Sequence, residues 1–473
     1  MSLTDSIIGK PLATSEEHSA RIGIAAGIPI FGLDALTSAA YGPEAAMTLL
    51  IPLGLYGLHY IVPIVTAILI LLGIVFFSYL QTIAAYPNGG GSYTVANENL
   101  GTGPALLAAA ALMIDYILTA AVGISAGVTA LTSAVPSLQS DTVIICLVLL
   151  AILTVVNLRG VKEAGAAFIW PTLMFVGTLA ILIAVGVFHT VMSGGHPVPV
   201  APPPPPLPAT IKYLGLWLLL KSFSNGCAAM TGVEAVSNGV NAFEEPRAKK
   251  AQISLAIIIG ILAFLLFGTT YLAKAYGITA MEPTSHHYQS MVSILTTAVF
   301  GRGWFYYLTM ATILVALPMS ANTAFSGFPR LARAIADHEY LPHVFLLRGR
   351  RLLFSHGIYA LTGFTAVILF LFDGVTDKLI PLYAIGAFIA FTLSQAGMVV
   401  HWSRAEGGYK KHWWHMFVNG FGALATGLTT LVVLVTKFMS GAWVTAILIP
   451  LLILTMLAVK RHYTRVKREM SDM

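Results

Sequence analysis

Long apolar runs, each closed by a short segment rich in polar residues, glycine or proline, follow one another along the chain. A helix needs about 20 residues to cross the hydrocarbon core of a bilayer. Twelve runs suit a crossing, at approximately 22–52, 59–85, 103–134, 142–158, 166–192, 211–241, 251–276, 302–326, 355–372, 379–400, 416–437 and 441–460. The pattern predicts an all-α polytopic membrane protein with 12 transmembrane helices. The third run is too long for a perpendicular crossing, so tilt or an extension beyond the bilayer is expected.

Two runs carry a predicted interruption. In the first, Gly27-Ile28-Pro29-Ile30-Phe31-Gly32 is a poor continuous helix, because Pro29 removes a backbone donor and the glycines loosen the chain. Asp34 follows, and a carboxylate at the centre of a span costs about 2.5–3.5 kcal/mol on insertion scales, so a role is the default reading. The phrase Gly32-Leu33-Asp34-Ala35-Leu36-Thr37-Ser38 returns as Gly232-Val233-Glu234-Ala235-Val236-Ser237-Asn238 in the sixth run, after Asn225-Gly226. Five spans, an odd number, separate the copies, so the two halves are inverted. Broken helices 1 and 6 of a 5+5 inverted repeat point to a transporter site near the midplane. The chain then divides into an N-terminal segment 1–21, a first repeat 22–192, a Pro-rich linker 193–210, a second repeat 211–400, helices 11 and 12 over 401–460, and a basic tail 461–473.

Composition excludes a soluble domain: 57% of residues are hydrophobic and 10% charged, against roughly 25% charged in soluble proteins. The net charge of +6 does not indicate a nucleic-acid partner, because the basic residues gather in alternate loops. With the N-terminus inside, only Lys212, Lys274, Arg302, Lys378 and Lys437 fall outside, and Lys221 within a span. This asymmetry places both termini in the cytoplasm and the chain in the cell membrane. The run Lys460–Arg468 reads as an anchor at an anionic leaflet. The first run lacks a cleavage site and is read as a span. Cys146 and Cys227 lie in apolar runs and imply no disulfide. Pro202–Pro206 with Pro208 form a stiff extended spacer. Gly89-Gly90-Gly91 suits a tight turn, and no lysine follows it to make a phosphate loop. His286-His287 reads as a solvated loop pair. No metal-ligand cluster, nucleophilic triad or nucleotide signature appears, so neither an enzyme nor a cofactor is expected.

Oxygen-bearing side chains within the spans are the candidates. Asp34 and Tyr41 are seven apart and share a face wherever the helix is intact. Asp115 and Thr119, four apart, share a face of the third run; Thr231 and Glu234 sit at the second break; Tyr383 opens the tenth run. A dehydrated cation needs several close oxygens, from carboxylates, hydroxyls and the carbonyls of an unwound helix. Structural roles stand beside each. Asp34 would also cap the inner half-helix, Asp115 would pair with Tyr116, Thr119 would bond its own helix carbonyls, Glu44 would cap the turn after Pro43, and Tyr383 alone would be an interfacial anchor. A carboxyl inside the bilayer is also a natural proton carrier, open to Asp34, Asp115 or Glu234.

At these residues the chain resembles the amino acid–polyamine–organocation superfamily, and most closely its KUP and KimA potassium–proton symporters. Pro87-Asn88-Gly89-Gly90-Gly91-Ser92-Tyr93 is similar to the superfamily's inner-loop signature. The Asp34–Tyr41 spacing, Asp115-Tyr116-Ile117-Leu118-Thr119, Thr231-Gly232-Val233-Glu234 and Pro381-Leu382-Tyr383 resemble the KimA type. The resemblance implies a LeuT-type fold, potassium held by Asp34, Tyr41, Asp115, Thr119, Thr231 and Tyr383, and proton coupling at Glu234 and Asp34. In the amino-acid branch a Gly-small-Gly element holds the substrate carboxylate, whereas Gly32-Leu33-Asp34 puts a carboxylate there. One turn after Thr119 the KimA pattern calls for a hydroxyl, but Gly123 stands there and Ser125 is the nearest substitute. After Lys460 only a short tail is expected, so a regulatory C-terminal domain and its dimer are not carried over, and the protein is a monomer or weak dimer. The expected function is import of potassium with a proton. A proton-coupled amino acid or polyamine permease and a cation channel are the alternatives.

Overall fold

The computed structural model describes residues 21–159, 161–211, 215–283, 285, 288–349 and 354–471, with the backbone alone over 161–167 and at 471. The N-terminal segment to residue 20, Lys212, Arg350, Arg351 and the pair His286-His287 lie outside the described residues. Every regular element among the described residues is helical, and Ile22 and Phe243 form one isolated parallel bridge. In chain order the helices are α1 (Ile24–Thr37), α2 (Gly42–Thr48), α3 (Leu58–Ala85), α4 (Ser92–Asn99), α5 (Thr102–Ala134), α6 (Thr142–Arg159), α7 (Val161–Met192), α8 (Leu216–Gly226), α9 (Ala235–Asn238), α10 (Arg247–Ala275), α11 (Met291–Phe300), α12 (Trp304–Asp337), α13 (Ser355–Leu371), α14 (Thr376–Leu379), α15 (Ile385–Arg404), α16 (Gly408–Lys437) and α17 (Ala442–Ser471). Ten stretches among the described residues are long and apolar enough to cross a membrane, from Ile24–Thr48 to Ala442–Met470. Of the expected runs, the sixth is divided and the ninth forms a helix of only 17 residues.

The first break falls later than its glycines suggest, and the second falls at Thr231–Gly232 and not at Asn225-Gly226. α1 runs through Pro29 to Thr37, and the helix departs only at the 3-10 turn Ser38–Ala40 and at Tyr41. Gly27 and Gly32 serve packing instead: a Cβ on either would lie 2.4 Å from Phe243 or Ile258. Thr37 donates to the carbonyls of Leu33 and Asp34, and Ser38 to that of Ala35. These hydroxyls partner carbonyls at the frayed helix end. In the sixth run, Asn225-Gly226 stays helical and the chain continues as a 3-10 turn to Met230. The break is at Thr231, which is extended, and Gly232, at φ +79. A third break, read from the sequence as unbroken, separates α14 from α15 at Ile380–Ala384, where Ala384 has φ +76. Pro381 was its signal.

The first two breaks are tied together along their length. Ser38 donates to the Ala229 carbonyl (2.8 Å), Ser222 to Ala46 (2.8 Å) and Asn225 to Ala45 (3.2 Å). At the other end, the Ile22 N–H donates to the Ala242 carbonyl and the Ile22 carbonyl accepts from the Glu244 N–H, on either side of Phe243 in the isolated bridge. Beside them α5 lies very close to α12. A Cβ on Gly123 would meet the Leu317 carbonyl at 2.8 Å, and one on Gly127 would meet Pro318 at 2.4 Å. Small residues four apart let membrane helices approach this closely. The outer surface of α16 presents Phe417, Phe421, Leu424, Leu428, Leu431 and Val435, all exposed. Such a stripe suits lipid.

Two basic features differ from expectation. Lys437, placed outside by the charge count, is buried and donates to the Ile380 carbonyl at 3.0 Å. The region 461–473, read as a tail, continues α17 to Ser471. Its reason is a docking contact: Lys460 bonds Glu339 (2.9 Å) and the His338 carbonyl (3.1 Å), Lys467 also pairs with Glu339, and Tyr463 stacks on His343 at 4.1 Å. The hydrogen bonds from Lys467 and Lys460 hold the Glu339 carboxyl down at about 2 from its ordinary 4.5. A depressed carboxylate stabilises above its ordinary value and loses that contribution as pH falls through the depressed one. Protection of the 460–470 amides, read as their exchange rate relative to the intrinsic rate at each pH, is therefore expected to hold steady from about pH 8 down to about pH 5 in the intact protein, and to be lower in Glu339→Gln across that range. Equal exchange in the two proteins would refute the docking role.

Candidate functional site

The three breaks meet at one buried cluster. Asp34, in the last turn of α1, is 3% exposed. Its Oδ2 lies against the second break, so close that a Cβ on Gly232 would sit 2.5 Å from it and 2.9 Å from the Ala35 nitrogen. Glycine is required there twice, for the space and for the positive φ. Next to it Thr231 donates to the Ala228 carbonyl (3.1 Å), and its oxygen therefore accepts from the Tyr383 hydroxyl (2.5 Å). Thr119 joins the same phenol at 3.3 Å. Tyr41 turns its hydroxyl to Tyr383 and Thr231, with Asp34 and Asp115 beside it.

Asp115 completes the group from α5. One side of its carboxylate meets the backbone N–H of Ala387 at the start of α15, while Oδ1 is buried with no hydrogen-bond partner among the described residues. The small Gly386 permits this contact, since a Cβ there would lie 2.9 Å from that of Asp115. Thus Asp34, Tyr41, Asp115, Thr119, Thr231 and Tyr383 come together, from α1, α5 and the three breaks. The structural alternatives fare differently. Thr119 bonds Tyr383 across the bundle, Tyr116 pairs with Asn238 (3.0 Å) rather than Asp115, and Tyr383 is fully buried instead of interfacial. Glu44 does not cap its turn and accepts from the Tyr288 hydroxyl at 2.7 Å.

Glu234 stands apart from this cluster. Its carboxylate accepts from Ser92 (2.9 Å), Tyr79 (3.4 Å) and Asn238 (3.3 Å). Ser92 opens α4, a helix absent from the sequence map. Gly89-Gly90-Gly91 turns the chain there and admits the end of the sixth run, since a Cβ on Gly91 would lie 2.3 Å from the Asn238 side chain. Tyr79, Ser92 and Asn238 are thus the residues that sequence reasoning missed. Ser92 had a signal, in the inner-loop motif. The hydroxyl expected near Gly123 is also explained: a Cβ there would lie 2.6 Å from the Ser320 Oγ, so a side chain has no room. Ser125 points elsewhere, to Val122 and Thr376.

Cavities flank the cluster unequally. Toward the end expected to face the cytoplasm lies a cavity of about 250 Å³, walled in part by Gly91, Tyr116, Asn238 and Arg330. Toward the other end, a cavity of about 30 Å³ is lined by Tyr41, Glu44, Thr376 and Asp377 among others. The first has room for several waters and the second for about one, at roughly 30 Å³ each. Gly232→Ala is expected to cost about 1–2 kcal/mol from left-handed strain alone, read as a lower melting temperature in detergent. Gly73→Ala, where a Cβ meets nothing within 4 Å, is the control and is expected to melt no lower. Equal melting of Gly232→Ala and the intact protein would contradict the close approach.

Comparison with known proteins bears on this arrangement. The family model described as amino acid permease matches residues 30–459. The potassium transporter KimA of Bacillus subtilis is 41% identical over 465 residues, covering 98% of this chain and 75% of that protein. These are membrane transporters and not enzymes. The chain therefore belongs to the amino acid permease family of the amino acid–polyamine–organocation superfamily.

Proposed function

We propose that the protein imports potassium together with a proton, by alternating access around the cluster between its broken helices. The observation that carries this is the meeting of Asp34 with Thr231, Gly232 and Tyr383, joined by Tyr41, Asp115 and Thr119. A potassium ion entering the membrane must replace its water with other oxygens. Here two carboxylates and four hydroxyls supply them, and the orphaned Oδ1 of Asp115 is a ligand without another partner among the described residues. KimA, the 41% identical relative, is a potassium transporter, and potassium is the substrate it suggests for this chain. Its proton partner fits Glu234, whose carboxyl is reached from the larger cavity through Asn238.

The remaining architecture belongs to the same proposal. Twelve spans, with both termini in the cytoplasm and a LeuT-type 5+5 inverted repeat, make Asp34 and Glu234 counterparts across the inversion. The unequal cavities fit a carrier sealed outside and accessible from inside. An uninterrupted conduction path, as a channel needs, does not fit a cluster closed by Tyr41 and Tyr383, both buried. A potential of about 100 mV drives each positive charge inward by about 2.3 kcal/mol, and a co-transported proton roughly doubles that term.

Uptake by proteoliposomes tests the reading, with rubidium, sodium, arginine and a polyamine compared under an imposed proton gradient. A gradient of about one pH unit is expected to raise rubidium accumulation about tenfold for one coupled proton, because it adds about 1.4 kcal/mol. Asp34→Asn is expected to abolish that uptake. Rubidium accumulation indifferent to the gradient would overturn proton coupling, and arginine uptake without rubidium uptake would favour an amino acid permease instead.

A further inference from the structure

The larger cavity has an unusual wall for a path that releases a cation. Arg330, on α12, lines it together with Tyr116 and Asn238 and is exposed within it. It makes no hydrogen bond or ion pair with any described residue. Its neighbour Arg333, by contrast, lies over the Phe354 ring at 5.0 Å. One turn before Arg330, Gly327 gives way to Tyr116, since a Cβ there would lie 2.5 Å from the ring. That ring brings Arg330 within electrostatic reach of its hydroxyl. The hydroxyl accepts from Asn238, and Asn238 also donates to Glu234. Asp115, with its orphaned Oδ1, is the residue before Tyr116. An unpaired guanidinium therefore stands on the wall of this cavity, linked through Tyr116 and Asn238 to Glu234.

We propose that Arg330 is the positioning residue of the empty carrier, swinging into the vacated vestibule to balance the carboxylates that potassium and the proton have left. The inference rests on the potassium–proton reading above. Once both cations leave, carboxylates in a medium of low dielectric must move back across the bilayer, and uncompensated charge there is costly. A cavity of about 250 Å³ has room for the guanidinium to approach. The loaded carrier needs no such help, because its cations provide the balance. Arg330 should therefore matter for net uptake, which includes the empty return, and not for exchange of one bound ion for another.

The full chain in proteoliposomes separates the two modes. Net rubidium uptake is measured into vesicles lacking potassium, and counterflow into vesicles loaded with it at equal pH. Arg330→Gln is expected to lower net uptake about tenfold or more, a change of about 1.4 kcal/mol, while counterflow stays near that of the intact protein. Retained counterflow also shows that the variant is folded. Arg330→Lys, which keeps the charge, is expected to restore most of the net uptake. Unchanged net uptake in Arg330→Gln, an equal loss of both modes, or a lysine variant no better than the glutamine one would each overturn the proposal. Intact protein that moves rubidium in neither mode would instead overturn the potassium reading.

Discussion

The structure depends on one close approach, that of the Asp34 carboxylate to the backbone of Gly232. Two helices end at this point inside the bilayer, and their free carbonyls and amides need partners where there is no water. Thr37, Ser38 and Thr231 supply part of them by bonding carbonyls of their own segments, and Ser38 reaches across to Ala229. Because Gly232 lacks a side chain, the two ends meet with the carboxylate between them. Every other member of the cluster is placed relative to that contact.

Around it, close helix packing and side-chain hydrogen bonds hold the cluster in place. The α5–α12 contact is closed by Gly123 and Gly127, so no side chain separates the two helices beside the cluster. Tyr383 reaches its position because the chain breaks between α14 and α15, and Lys437 holds the Ile380 carbonyl within that break. Glu234, which takes the place of Asp34 in the second copy of the sequence phrase, is engaged differently. Three donors hold it, from α3, α4 and α9, at the edge of the larger cavity. The two related carboxylates thus occupy unlike surroundings, which suits a division between ion binding and proton transfer.

Much of this was legible in the chain. Apolar run length marked the helices, and the four-residue spacing marked the face of α5 that supplies Asp115 and Thr119; Asp34 and Tyr41, by contrast, lie on either side of a break, and Glu234 lies apart from Thr231. The breaks were harder, because glycine has two uses. Gly27, Gly32 and Gly226 admit neighbouring side chains, whereas Gly232 turns the chain, and composition does not separate these cases. Short helices such as α4 and α11 left no periodic signal. The helical course of α17 past Lys460 depends on Glu339 and His343, far away in sequence. The burial of Lys437 likewise follows from a tertiary acceptor, the Ile380 carbonyl.

The central claim is that a dehydrated monovalent cation sits where the breaks converge. Anomalous scattering from crystals of the protein grown with rubidium or thallium locates such an ion directly. The account predicts a peak enclosed by Asp34, Tyr41, Asp115, Thr119, Thr231 and Tyr383, absent from crystals of Asp34→Asn. A peak elsewhere with none in this cluster, or one unaffected by Asp34→Asn, would contradict it.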